Sequence, residues 1–429
     1  MLSILLAANV ADGHVAPMLG VAEQFIGSGH RVRFLAGDRF ADAVRNTGAE
    51  FLPWPADAQV DHQAVLAQDL AEGGRPTGAK AIAHSVDRLF IAPAPAQYAA
   101  LRQATEAEQT DAVLSEYTVV GAGALAISDR PRPPVVTCGI LPLGLSSVDT
   151  APWGLGILPR TDLLGRARNR FLIWLAKNVV LRGPQRQVED MMRTLTGAEV
   201  HGFFMDGAAN ADHYAQFTVA GFEYPRRDLP ANVSFVGPVM RASTRVAELP
   251  KWWGDLDDDV PVIHVSRGTL ANEDLEELVL PTVRALARRR ALVVVSTGGV
   301  PVERLGPLPA NARAAEFLPH ADLMPKVDVF VTNGGYGGLH AALGHGVPMV
   351  VAGDTEDKVE TTRRVEWSGT GVNLRCGRPT EAQIAAGVDR VLTEPGFRER
   401  AQALQAEIAA APGMPGLERI VTELVASKR

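Results

Sequence analysis

Cysteine is almost missing from this sequence: Cys138 and Cys376 are the only two in 429 residues. They stand far apart with no metal-ligand spacing, which argues against a disulfide framework or a structural zinc site. Long apolar runs are missing as well. No stretch approaches the length needed to cross a bilayer. The opening MLSILLAANV has neither a basic flank nor a clear cleavage site, so it reads as a buried first strand and not as a signal peptide. Blocks of like charge are missing too. The net charge is −7 and there is no long basic stretch, which disfavours nucleic acid as the main partner. With 46% hydrophobic and only 6% aromatic residues, the composition fits a cytoplasmic α/β chain, and the length points to two domains.

What is present begins with a βαβ unit. Ser3 to Ala8 is an apolar run, a helix is expected from about Ala16 to Ser28, and Arg31 to Ala36 is the next strand. This is the start of a doubly wound parallel sheet. The first turn lacks a dinucleotide fingerprint, which disfavours a dehydrogenase, and reads Gly13-His14-Val15-Ala16-Pro17 instead. His14 is placed at the carboxyl end of the first strand, facing the crevice where such sheets bind ligands. A neutral imidazole there can take a proton from an attacking hydroxyl, provided a carboxylate fixes its other nitrogen.

The stretch from Phe317 to Lys358 carries a second pattern. Val327 to Thr332 reads as a buried strand, Asn333 to Gly338 as a glycine-rich turn, and Leu339 to Leu343 as the start of a helix. A second strand, Pro348 to Ala352, leads into a loop with Asp354, Glu356, Asp357 and Lys358. Glycine between a strand and a helix lets backbone N–H groups approach an anion at the positive end of the helix dipole. Alone, one glycine cluster reads equally well as a tight turn. A second one, Ser266-Arg267-Gly268-Thr269 after the strand Val260 to Val265, makes a diphosphate site more plausible than either alone.

The order FLPH, NGGYGG and GVPMVVAGDTEDK resembles the donor-binding signature of family-1 glycosyltransferases, and the resemblance extends over essentially the whole chain. It implies the GT-B fold: two doubly wound Rossmann-like domains facing across a cleft. Residues 1–225 would bind the acceptor, 226–240 would be a linker, 241–410 would bind the nucleotide-sugar, and 411–429 would form a helix returning to the first domain. The activity implied is inverting, metal-independent transfer from a dTDP-deoxysugar or UDP-sugar to a hydroxyl of a hydrophobic small-molecule or lipid acceptor, with no cofactor. Stable membrane insertion is not expected, and monomer and homodimer both stay open.

The resemblance also distributes roles. His14 would be the base. Glu116, after the strand that Asp111 starts, falls where the family places an Asp, one methylene longer. Ser266, Arg267, Gly268, Thr269, Asn333, Gly335, Gly337 and Gly338 would hold the diphosphate. Phe317 would stack on the base, Leu318 would offer backbone to it, and His320 would reach the ribose or cap the next helix. Asp357 and Lys358 would meet the sugar. The apolar loop Cys138 to Pro159, with Ile140, Leu141 and Trp153, would form the acceptor pocket together with His62 and Phe90; packing under the following helix explains that loop equally well.

Three positions depart from the pattern. Asn333 replaces a His, Lys358 replaces a Gln, and Ala341 stands where UDP-sugar enzymes often carry a Glu on the ribose hydroxyls, so a dTDP-sugar is not disadvantaged. A nucleotide-sugar 2-epimerase of the same fold and a non-catalytic nucleotide-sugar-binding protein are the alternatives.

Overall fold

A computed structural model describes residues 1–60, 65, 79–200, 202–240, 249–268 and 274–428. Two parallel sheets organise the chain. The first holds β1 (Ser3–Ala7), β2 (Arg31–Ala36), β3 (Glu50–Pro53), β4 (Ala112–Glu116), β5 (Val135–Gly139), β6 (His213–Gln216) and β7 (Val233–Phe235), in the order β3-β2-β1-β4-β5-β6-β7. The second holds β8 (Val262–Ser266), β9 (Leu292–Ser296), β10 (Ala312–Ala315), β11 (Val329–Thr332), β12 (Met349–Val351) and β13 (Gly371–Asn373), in the order β10-β9-β8-β11-β12-β13. β4, β5, β8, β9 and β11 are buried along their whole length, which is why they read as continuous apolar runs and not as alternating ones.

Each sheet reverses its strand order at one place, between β1 and β4 in the first and between β8 and β11 in the second. Loops at such a switch point diverge to opposite faces and leave a crevice at the carboxyl ends of the strands. The register pairs Ala7 with Ser115 and Ser266 with Thr332, so His14 and Glu116 flank one crevice while Gly268 and Asn333 flank the other.

Two expectations about boundaries change. Residues 233–235, expected inside a linker, form the seventh strand and pair with β6 through Tyr214↔Val233; three residues are too few for a periodic signal. Helix α1 (Asp12–Gly27) starts four residues before its expected start at Ala16, with Pro17 inside it. His14 therefore sits in the first turn of a helix and not in a free loop, and the negative charge of Asp12 suits that terminus.

At the other end of the chain, helix α5 (Gly413–Lys428) packs Leu417, Val421 and Val425 into the core formed by β1, β2 and α1. Glu418 of α5 accepts hydrogen bonds from Gln24 (2.9 Å) and Ser28 (2.7 Å) and lies 3.0 Å from His30 Nε2.

Candidate active site

The first crevice is built on a chain of buried polar groups. His14 Nδ1 lies 3.1 Å from Glu116 Oε1 and 3.1 Å from Thr118 Oγ1. Glu116, 1% exposed, accepts from Asn9 N (3.2 Å), Thr118 N (2.7 Å) and Thr118 Oγ1 (2.7 Å). Asn9 Nδ2 donates to Thr118 Oγ1 (2.8 Å), and Gln97 Nε2 donates to Asn9 Oδ1 (2.8 Å). Gly121 N donates to Gln97 Oε1 (3.2 Å), and a Cβ on Gly121 would lie 2.5 Å from Gln97 Cβ, so only glycine permits this approach.

These contacts assign the tautomer. A carboxylate is acceptor-only, and the Thr118 hydroxyl spends its proton on Glu116, so Nδ1 must carry the imidazole proton. The lone pair is then on Nε2. Burial disfavours the imidazolium, yet the charge and hydrogen bond of Glu116, with Asp357 adding, hold the His14 pKa above its ordinary value. Burial likewise works against the charged Glu116, but His14 and the Thr118 donors lower its pKa overall. An imidazole whose protonated form is stabilised in this way is a stronger proton acceptor than a free one.

The second crevice is built from backbone. Helix α3 (Tyr336–Leu343) follows β11 after the turn Asn333-Gly334-Gly335. It begins three residues before its expected start at Leu339, so Gly337 and Gly338 are in its first turn; first-turn amides lack intrahelical partners and still present N–H to an anion. Gly334 has φ +93°, and a Cβ there would lie 2.7 Å from Thr362 Cγ2, so the turn requires glycine. Asn333 is buried and its Oδ1 accepts from Gly335 N (3.4 Å). Opposite it, Ser266 Oγ accepts from Gly268 N (3.2 Å). The Phe317 ring, 45% exposed, lies against Gly299 at the edge of this crevice, and Leu318 is buried beside it.

Some expected roles fare differently. Arg267 turns its guanidinium to the Asp274 carbonyl (2.7 Å) and to Glu277, so its charge is already engaged at this turn. His320 caps no helix: Pro319 is the N-cap, and the His320 ring packs edge-on against His264 (5.5 Å between centroids) and Phe330. Burial lowers its pKa and keeps it neutral. Lys358 is buried at the start of helix α4 (Lys358–Ser368), with Nζ on Glu356. Asp357 is half-buried; burial pushes its carboxyl up, against Lys358. Ile140, expected at an acceptor pocket, is buried in the first core and Leu141 packs against it, because β5 continues its inward side-chain pattern past Gly139. Trp153 lines a small cavity with Leu143, Leu145, Tyr224, Arg226 and Arg364. Phe90 is half-buried in the wide turn Asp87–Ile91. His62 and Thr269 lie outside the described residues.

A bridge between the two halves was not legible beforehand. Arg364 of α4, 1% exposed, donates from Nε to Glu223 Oε2 (2.9 Å) and from Nη1 to Glu360 Oε2 (3.0 Å). Glu223 Oε1 accepts from Leu143 N (2.9 Å) and Tyr336 Oη (3.2 Å). Glu360 Oε1 accepts from Gly154 N (2.8 Å) and Gly156 N (3.0 Å). One ion cluster thus joins the apolar loop after β5 to the helix that begins with Lys358. Removing one partner of a buried pair strands the other charges, so Arg364→Ala is expected to lower unfolding free energy by about 3–5 kcal/mol. Urea denaturation reads this directly, and a loss below about 1 kcal/mol would contradict the assignment.

Comparison with known proteins agrees with this architecture. Residues 282–426 match the family described as Erythromycin biosynthesis protein CIII-like, C-terminal domain. The chain is 42% identical to 4'-demethylrebeccamycin synthase of Lentzea aerocolonigenes over 409 residues, covering 95% of this chain and 96% of that one. It is 31% identical to UDP-glycosyltransferase 2 of Phaeomoniella chlamydospora, covering 99% and 96%. Among solved structures, the glycosyltransferase of kitacinnamycin superposes with a TM-score of 0.74 at 21% identity, covering 99% of this chain and 98% of that one; at that identity the likeness speaks for the fold. The two facing parallel-sheet units are those of GT-B enzymes, and the chain belongs to the family-1 glycosyltransferases.

Proposed function

We propose that this glycosyltransferase performs a single inverting displacement at the crevice between its two sheets. The observation that carries the reading is the His14–Glu116 pair at 3.1 Å, placed at the switch point of the first sheet and within the electrostatic reach of Asp357 from the second. An acceptor hydroxyl gives its proton to His14 Nε2 as its oxygen attacks the anomeric carbon. The bond from that carbon to the nucleoside diphosphate breaks on the opposite face. First-turn amides of α3, together with those beside Gly268, stabilise charge growing on the leaving diphosphate, and they are preorganised for that role. As drawn, the step routes neither a bond nor charge through a metal.

Residues 1–225 would serve the acceptor and 241–410 the nucleotide-sugar, with 411–429 tying the second unit to the first. Phe317 would stack on the base and Asp357 on the sugar hydroxyls, with Lys358 joining after release from Glu356. Trp153 and Phe90 favour a hydrophobic acceptor, a natural product or a lipid, met in the cytoplasm. Ala341 in α3 supports a dTDP-deoxysugar donor over a UDP-sugar, because no carboxylate stands there for a ribose 2′-hydroxyl. Free epimer release or bare nucleotide-sugar binding is not favoured: an epimerase has no requirement for the turn from Gly13 to Pro17, and a binding protein has no use for an oriented base.

Thermal shift with dTDP and with UDP tests the donor half, since a ligand that binds only the folded chain raises its melting temperature. The dTDP shift is expected to be the larger. A larger UDP shift would overturn the Ala341 argument, and no shift with either would overturn the donor site. The anomeric configuration of product, read by NMR coupling, tests inversion.

A further inference from the structure

Helix α2 (Leu163–Leu175) follows the apolar loop and continues as a wider turn to Val180. Over Leu163–Leu175 only Gly165 and Asn169 are buried. At about 100° per residue, Leu163, Leu164, Ala167, Phe171 and Trp174 fall on one stripe, and that stripe faces outward. Leu163 is 79% exposed, Leu164 71%, Phe171 59% and Trp174 56%, with Val179 at 57% one turn on. Eleven large hydrophobic side chains are exposed among the described residues, and five of them are these. Phe171 and Trp174 stack on each other, 6.3 Å between centroids.

Beyond the N-cap Asp162, the charge carried by the helix itself is of one sign. Between Asp162 and Glu189 the sequence carries Arg166, Arg168, Arg170, Lys177, Arg182 and Arg186 and no acidic residue. This segment is strongly cationic in a chain whose net charge is −7. The hydrogen bonds that hold it in place go to neutral groups: Arg166 to the Asp162 carbonyl, Arg168 to Asn169 Oδ1 and Lys177 to the Gly202 carbonyl. Asp149 and Asp206 lie within electrostatic reach of Arg166 and Lys177 and leave Arg168 and Arg170 unopposed by them. Arg166, Arg170 and Lys177 flank the stripe on one side of the helix and Arg168 on the other.

We propose that this face docks the protein reversibly on an anionic lipid surface, with the helix in the plane of the interface. An outward apolar stripe with an aromatic pair, flanked by cations, is the pattern of helices that bury one face at the headgroup boundary and pair their basic residues with lipid phosphates. A second copy of the chain fits poorly, because a two-fold contact through this stripe would set the arginines of one copy against those of the other. The helix is also tied to the apolar loop: Asn169 Nδ2 donates to the Val148 carbonyl (3.0 Å) and Arg168 to the Leu158 carbonyl (3.4 Å). Docking here would bring a bilayer beside the loop that lines the Trp153 cavity. The docking itself does not depend on the transferase reading.

The test is co-sedimentation of the full chain with phosphatidylcholine vesicles, with and without phosphatidylglycerol, at low and high salt. Binding is expected with the anionic vesicles at low salt and not with the neutral ones. Phe171→Ser with Trp174→Ser should abolish it. Arg166→Gln with Arg170→Gln should weaken it about thirtyfold, each basic residue near an anionic surface being worth about fivefold. Circular dichroism melting checks that both variants stay folded. Three results would overturn the proposal: no sedimentation with anionic vesicles, equal sedimentation with neutral ones, or a concentration-dependent dimer of the native chain that the Phe171 and Trp174 substitutions turn into monomer.

Discussion

His14→Ala is expected to lower kcat by about 10²–10⁴-fold, the usual weight of a positioned general base, while leaving the thermal shift with dTDP unchanged. The separation follows from geometry. His14 belongs to the first turn of α1 on the first sheet, whereas the amides and Phe317 that would hold the nucleotide stand at the carboxyl end of the second. The methyl group left behind cannot accept a proton, and water must do so instead. Undiminished turnover would remove His14 from the mechanism. Loss of turnover together with loss of the nucleotide shift would mean that the residue shapes the cleft and does no chemistry.

Glu116→Gln is expected to cost a similar factor and to leave a signature in pH. The carboxylate accepts on both oxygens, from Thr118 N on one and from Asn9 N, Thr118 Oγ1 and His14 Nδ1 on the other. An amide has one oxygen to offer. Its NH₂ must point either at the Thr118 backbone donor or at His14 Nδ1. The first leaves two donors facing each other, and the second moves the imidazole proton to Nε2, where it blocks the base. The pH dependence follows from the same contacts. His14 acts when neutral, so kcat/KM falls as pH drops through its pKa. With Glu116 present that pKa is raised, and the acidic limb of the native enzyme is expected above the ordinary histidine value of about 6.5. Without the carboxylate only burial and Asp357 remain, so whatever activity Glu116→Gln retains should show its acidic limb at lower pH. Coincident limbs would show that the pair does not set the profile. Glu116→Asp keeps the charge and should recover part of the rate.

Much of the fold is legible in the sequence. β1, β4, β8 and β11 are buried on both faces, and a buried parallel strand announces itself as an apolar run. His14 and the glycine turn stand out because their residue types are unusual at strand ends. Thr118 and Asn9 do not. Threonine and asparagine are common beside turns, and their value here comes from joining the Glu116 end of β4 to Asn9 and His14 across more than a hundred residues, which no local window contains. A hydroxyl two residues past a strand-ending carboxylate was the available hint. Ile140 is ambiguous in sequence because an apolar residue after a strand can line a pocket or extend the core, and composition does not separate the two. The Glu223–Arg364–Glu360 cluster escaped notice for a related reason: charged residues on helices usually face water, and only the packing of α4 against the first unit buries these.

That cluster bears on recombination between relatives. If one unit serves the acceptor and the other the donor, as proposed, exchange of halves is a route to new pairings. In this chain a single carboxylate, Glu360, holds two amides of the loop at Gly154 and Gly156, while its partner Arg364 reaches back to Glu223. A hybrid cut between the sheets would take its lock from one parent and its key from the other. Unless residues 143, 154–156 and 223 are transplanted together with 360 and 364, such a hybrid would inherit two intact crevices held at the wrong angle.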